Sequence, residues 1–348
     1  MPENPNLTPQ RKKEHIEICL TDDAAFRNKT NGFEKYDFLH CAITEVDISS
    51  INFETIFLAK KISYPFLISC MTGGAAESEN INSRLAEAAG NLNIPLGVGS
   101  QRQALENKNF HNTYKTIRVK APQIPILGNI GASQIVKMKS FDEVKYLVDL
   151  VEADAMAIHI NPVQELIQKN GEPFFEGLLK SIGQLVKDID VPVIAKEVGA
   201  GISRDAAKKL IEAGVQGIDV AGAGGTSWSG VEIIRNKNNA SSEFWDWGIP
   251  TSYCLRTINE LKSRYDFTLI GSGGINSAFD AAKAFALGAD ITASARIILQ
   301  ELHKSGPDGV QQLITGWFEI IRKVMFLTGS GTLKELRKNK LVKKEEFH

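Results

Sequence analysis

Eight times between Tyr64 and Arg296 the chain passes through a short apolar run bounded by Gly or Pro and then into a stretch with helical periodicity. The runs are Pro65–Met71, Ile94–Ser100, Ile124–Ile130, Ala155–Ile160, Val191–Glu197, Gly217–Ala221, Thr268–Ser272 and Asp290–Ala295. A strand covered by helices on both sides of a parallel sheet reads apolar throughout. Between the first two runs, Ile81, Leu85, Ala88 and Leu92 recur at the spacing of a helix that lays one face on a sheet. The strands keep one character from first to last, so an α/β fold closed into a (β/α)8 TIM barrel accounts for them better than an open sheet.

An internal echo supports this. Gly201-Ile-Ser-Arg-Asp-Ala-Ala-Lys208 resembles Gly274-Ile-Asn-Ser-Ala-Phe-Asp-Ala-Ala-Lys283. In each, Ser203 or Ser277 is placed to cap a helix, and Gly214 or Gly288 to end it in the left-handed conformation. Three parts lie outside the rhythm: an N-terminal extension (1–63) in which Arg11 to Glu17 opens a helix, a loop inserted after strand six, and C-terminal helices (301–348) around a barrel core (64–300). We expect a single domain over 1–348. The insertion carries Trp228, Trp245 and Trp247 among Ser, Asn and Gly, which suits an active-site lid or aromatic side chains docked on the barrel or on a neighbouring subunit.

Among the 348 residues, Lys plus Arg total 40 against 41 Asp plus Glu, a balance that argues against nucleic acid or an anionic membrane as partner. The first ten residues lack a signal peptide's apolar core, no run is long enough to span a membrane, and the four cysteines are scattered without metal-ligand spacing. The expectation is a cytoplasmic protein with reduced thiols.

Chemistry gathers where the strands end. His159-Ile-Asn-Pro-Val-Gln-Glu165 puts an imidazole, two carboxamides and a carboxylate at the C-terminal end of a buried strand, the edge where parallel barrels bind ligands. Gly222 to Thr226 and Gly271 to Ile275 are glycine clusters that let backbone N–H groups approach an anion, and phosphate fits both. Cys70-Met-Thr-Gly-Gly74, Gly99-Ser-Gln-Arg102 and Gly128-Asn129 offer small uncharged hydrogen-bonding groups, suited to a flat heteroaromatic ring. Lys196, at the mouth of strand five, needs an anionic partner, and the N1–C2 edge of a reduced flavin is one. A Schiff-base lysine is the other role open at that position.

Taken together, the motifs Arg-Lys-x-Glu-His (from Arg11), Met-Thr-Gly-Gly, Gly-Ser-Gln-Arg, His-x-Asn-Pro-x-Gln-Glu, Lys-Glu-Val-Gly, Gly-Gly-Thr-Ser-Trp and Gly-Ser-Gly-Gly occur in order from Arg11 to about Arg296. In this the chain resembles the type 2, FMN-dependent isopentenyl diphosphate isomerases. The resemblance implies FMN contacts at Met71, Thr72, Gly73, Ser100, Asn129, Lys196, Thr226, Gly271, Gly273, Ser294 and Ala295. It implies diphosphate or substrate contacts at Arg11, Lys12, Ser100, Gln101, Arg102, His159, Asn161 and Gln164, and Mg²⁺ at Glu165. It implies NADPH as reductant and a small-molecule diphosphate as substrate, with no nucleic acid or membrane partner; a homo-oligomer, tetramer or octamer, is expected. At Ala221, where family members often have Ser, a hydroxyl contact to FMN is missing.

The residues suit that chemistry. Mg²⁺ takes one or two carboxylates with substrate phosphates and water, and Glu165 meets that count. Arg11, Lys12, Arg102 and His159 are placed to neutralise the diphosphate, Gln164 to orient the alkene, Trp228 to cover developing positive charge with its ring face, and Glu232 to serve as a second acid-base group. Two alternatives are an FMN-dependent oxidoreductase of the hydroxy-acid oxidase type and a non-catalytic flavin-binding protein. The first requires a His base near strands six and seven, where Gly248 to Arg256 has none.

Overall fold

The computed structural model describes residues 7–74, 76–237, 239–338 and 340–347. Eight parallel strands close into a barrel: β1 Phe66–Ile68, β2 Leu96–Gly97, β3 Ile126–Gly131, β4 Ala155–Ile160, β5 Val193–Glu197, β6 Gly217–Asp219, β7 Thr268–Gly271 and β8 Ile291–Ser294. Each falls inside or against its predicted run, and the barrel shuts where Thr292 of β8 aligns with Phe66 of β1. The register aligns Gly131, His159, Lys196 and Asp219 across β3 to β6, so these positions form one layer at the C-terminal mouth.

The core has two shells. Inside the barrel, Leu67, Leu127, Ala155, Ile194, Ile270, Ile291 and Ala293 pack on one another with Phe57 and Ile62. Those last two come from an antiparallel hairpin, Thr55–Phe57 with Lys60–Ile62, which plugs the N-terminal end of the barrel. Its turn holds Leu58 and Ala59 at φ of 49° and 60°, where Asn or Gly is usual, so no residue there signals a hairpin. Outside the barrel, helices such as Ala76–Leu92 bury Leu85, Ala88 and Leu92 against the strands. Ser203 and Ser277 both cap their helices, accepting from Ala206 N and Asp280 N, and Gly214 and Gly288 have positive φ.

The flanking parts differ in detail from the sequence reading. The helix Arg296–Leu327, kinked at Gly306-Pro307, crosses the boundary expected at residue 300. The tail contains a strand, Leu341–Lys343, that pairs antiparallel with Tyr36–Phe38 of the N-terminal extension. The insertion after β6 contains the helix Trp228–Asn236. Its Trp245 is buried, donates from Nε1 to Ala25 O at 2.8 Å, and carries Arg27 over its ring at 3.6 Å. That part of the insertion therefore docks on the N-terminal extension. No helix among the described residues is long and apolar enough to cross a membrane.

Candidate active site

The strand ends open into a cavity, and the N-terminal helix α1, Leu7–Leu20, forms one of its walls. Residues Ala24 to Phe26 that follow it are held by backbone bonds to Gly225 and Ser227 beyond β6. One face of α1, carrying Arg11, Lys12, His15, Ile16 and Cys19, looks into the cavity. Of the predicted residues, Arg11, Lys12, Met71, Thr72, Gly73, Ser100, Arg102, Asn129, His159, Asn161, Gln164, Glu165, Lys196, Thr226, Trp228, Gly273, Ser294 and Ala295 line this one cavity.

Three predicted residues do not. Gly271 faces the helix layer, where an added Cβ would meet Leu255, Ala284 and Ala289. Gln101 is fully buried behind the wall, donating to Leu147 O and accepting from Asn129 N, both at 2.9 Å. It shapes the loop rather than touching a ligand. Glu232 lies behind Gln164, whose Nε2 is 3.4 Å from its Oε1. Thr72 lines the cavity, but its hydroxyl is taken by Asn82 Oδ1 at 2.5 Å, which ties the loop to the helix Ala76–Leu92.

The polar groups are strongly biased by burial. Lys12 Nζ sits under Gly73 O and reaches Ser100 O at 3.1 Å and Tyr114 Oη at 3.2 Å. Desolvation, reinforced by the Arg11 guanidinium, pushes its ammonium down to about 7. His159 Nδ1 is 2.8 Å from Asn129 Oδ1. Burial, with Lys196 and Lys12 nearby, lowers its imidazole to about 4. His159 is therefore neutral near pH 7 unless a bound anion restores its charge.

A second cluster lies behind Trp228 and Gln164. His15 Nε2 is 2.8 Å from Glu232 Oε1, its ring stands edge-on to Trp228 with centroids 5.2 Å apart, and Arg235 pairs with Glu232 Oε2. Burial holds His15 below its usual value against the pull of Glu232. Burial opposes ionisation of Glu232, but the His15 hydrogen bond and the His15 and Arg235 charges win and hold its carboxyl low. The sequence reading left His15 without a role. Its place one turn beyond Arg11, on the same helix face, is the signal that could have found it.

For a flavin phosphate, the loops after β6 and β7 provide a cradle. An added Cβ at Gly273 would strike the backbone of Gly222, and Gly273 has φ of 95°, so two backbones meet there with nothing between. Arg296 Nη1 is buried without a hydrogen-bond partner and lies 3.9 Å from Asp22. These features fit an anionic phosphate. For a divalent cation, Glu165 is the single carboxylate among the described lining residues. Its Oε1 accepts from Asn161 Nδ2 at 3.0 Å, while Asn161 Oδ1, also buried, has no partner. Glu165 Oε2 accepts from Glu172 N at 2.7 Å, and a single carboxylate fits Mg²⁺ with the remaining ligands from phosphate and water.

Isopentenyl-diphosphate delta-isomerase of Pelodictyon phaeoclathratiforme is 45% identical over 352 residues, covering 97% of this chain and 98% of that protein. Proteins of the same name from Vibrio campbellii (44%, covering 95% and 98%) and Nostoc sp. (45%, covering 95% and 94%) match similarly. A family model described as FMN-dependent dehydrogenase matches residues 6–115 and 133–343. The chain belongs to the type 2, FMN-dependent isopentenyl-diphosphate delta-isomerase family. It is thus an isomerase, with FMN as the group its glycine cradle fits. Solved structures share the barrel at low identity. A putative lactate oxidase of Pediococcus acidilactici aligns with TM-score 0.68 at 16% identity, over 97% of this chain and 94% of that one. A pyruvate-bound flavocytochrome b2 variant aligns with TM-score 0.71 at 18%, over 94% and 82%. At that identity the likeness speaks for the fold alone.

Proposed function

We propose that this isomerase interconverts isopentenyl and dimethylallyl diphosphate by allylic proton transfer, in isoprenoid biosynthesis, with reduced FMN and Mg²⁺ in the cavity and NADPH supplying the reducing equivalents. What supports this reading is that basic side chains, a carboxylate, a carboxamide and an indole line one cavity together with the glycine cradle. Arg11, Lys12, Arg102, Glu165, Gln164 and Trp228 all line it, and Asn161 Nδ2 ties Gln164 Oε1 to Glu165 Oε1, each at 3.0 Å. When bound, reduced FMN supplies an electron-rich surface and an acid-base centre at N5.

The chain's own residues do the rest. Arg102 offers a planar guanidinium for bidentate phosphate contact, although it is held here by Glu106 at 2.8 Å and Glu172 at 3.3 Å, so a diphosphate must displace carboxylates to reach it. Glu165, with Asn161, would hold the metal. The neutral His159 carries its proton on Nδ1, donated to Asn129 Oδ1, which leaves Nε2 an acceptor without added charge. Trp228 presents an aromatic face where positive charge develops on the hydrocarbon. Gln164 Nε2 links the cavity to the ionised Glu232 carboxylate, which serves as a proton acceptor one side chain removed from substrate. The helix α1 closes over these groups and limits access of water.

The oxidase alternative lacks its base. The described lining residues beyond β6 and β7, among them Thr226, Trp228 and Asn276, include no histidine. Incubating purified protein with FMN, Mg²⁺, NADPH and isopentenyl diphosphate without oxygen should give dimethylallyl diphosphate. Protein that binds FMN but yields no product, or that oxidises a 2-hydroxy acid, would refute the proposal.

A further inference from the structure

Asp219 is a buried carboxylate to which the chemistry above gives no task. It ends β6, is 1% exposed, and does not line the cavity. In the barrel register it stands level with Lys196 of β5, and its Oδ2 lies 3.3 Å from Lys196 Nζ. Its Oδ1 accepts from the Ser272 hydroxyl just beyond β7, and that hydroxyl in turn accepts from Ala221 N at 3.1 Å. Lys196 Nζ makes one further bond, to Glu197 O at 2.9 Å, and its side chain does line the cavity. The ammonium is therefore fixed from behind by an anion that belongs to the protein. From sequence, the anionic partner of Lys196 was assigned to the cofactor; the structure already contains one.

The distinction matters because charge and ion pair act differently at a distance. An isolated ammonium at the cavity wall presents a full positive charge to whatever binds there, whereas one held 3.3 Å from a carboxylate presents a dipole with a weaker, shorter-ranged field. The Ser272 bond fixes the carboxylate's direction as well as satisfying it. We propose that Asp219 is a positioning residue that holds Lys196 at the wall and offsets its charge, so that the ion pair rather than the lysine alone sets the redox potential of the bound flavin. This rests on the reading that the cavity holds FMN with its anionic reduced edge towards Lys196.

The test is the midpoint potential of FMN in the loaded enzyme, measured for the native protein, Asp219→Asn, Lys196→Met and the double variant. Asparagine keeps the shape of Asp219 and can still accept from Ser272 while removing the negative charge. Asp219→Asn should favour reduced over oxidised FMN by about tenfold, a rise of ~30 mV for a two-electron couple. Lys196→Met should lower the potential, because it leaves the carboxylate unopposed, and the double variant should lie above Lys196→Met. An unchanged or lower potential in Asp219→Asn, together with a drop in Lys196→Met, would overturn the role of Asp219 and leave that of Lys196 intact. An unchanged potential in Lys196→Met would overturn the placement of the flavin itself. A purely structural role would weaken both redox forms alike and leave the potential unmoved, which also refutes the proposal. Should Asp219→Asn fail to fold because it strands a buried charge, the single and double methionine variants still decide: equal potentials would show that the Asp219 charge is not felt at the cofactor.

Discussion

Lys12 should make substrate binding depend on pH in a window where few other groups titrate. Its ammonium is pushed from its ordinary value down to about 7 by burial and by Arg11. A diphosphate in the same cavity favours the charged form, so binding returns the group towards its ordinary value and takes up a proton. The depressed value belongs to the free enzyme and the restored one to the complex. Affinity is therefore fully present below about pH 7 and is lost as pH rises from there towards the value in the complex. For a free-enzyme pKa of 7, the population factor 1 + 10^(pH−7) is about 2 at pH 7, about 11 at pH 8 and about 100 at pH 9, which is roughly a 50-fold loss of affinity over two units. His159, lowered to about 4 by burial and by Lys196 and Lys12, is neutral in the free enzyme across this window. The assay is calorimetric binding of a non-reacting alkyl diphosphate to FMN-loaded enzyme, in buffers of different ionisation enthalpy so that proton uptake is read directly. Uptake should rise from about half a proton at pH 7 to nearly one at pH 9. Lys12→Arg, always charged, should flatten the profile. A flat native profile, or an Arg variant that follows the native curve, would refute the reasoning.

Two further outcomes follow from the cavity. Glu165→Gln should lose Mg²⁺-dependent turnover yet keep FMN, since an amide of the same shape cannot give the metal its negative charge; normal turnover at limiting Mg²⁺ would place the metal elsewhere. Gly273→Ala puts a methyl group against the Gly222 backbone at φ of 95°. It should lose FMN absorbance on purification and cost about 1–3 kcal/mol of stability in thermal unfolding, and a variant that stays yellow at the native Tm would contradict the cradle.

Strands buried on both faces were the most legible part of the sequence. β4 begins and ends where the run Ala155–Ile160 does: its first four positions are buried, and the last two, His159 and Ile160, reach the mouth. β2 covers only Leu96–Gly97, although Val98 N still bonds Leu127 O at 2.9 Å before Gly99 N turns to Thr72 O at 2.8 Å. The plug hairpin was hidden by a turn built from Leu58 and Ala59, and the strand Leu341–Lys343 by a Lys- and Glu-rich composition that reads as solvated helix. At the site, motifs identified the loops but not the direction of each side chain. Gln101 and Gly271 sit in motifs that touch the cavity, yet both point away from it. Asp219 was missed for the opposite reason: a lone carboxylate in an apolar run reads as a strand end, and only the register with Lys196 shows what it meets.

The central claim is that this barrel uses a reduced flavin without consuming reducing equivalents. It is tested most directly by turnover in deuterated water, without oxygen, after a single stoichiometric charge of reductant. The account predicts many turnovers of isopentenyl diphosphate per reducing equivalent, with deuterium from solvent in the dimethylallyl product. One reducing equivalent consumed per product, or product free of solvent deuterium, would contradict it.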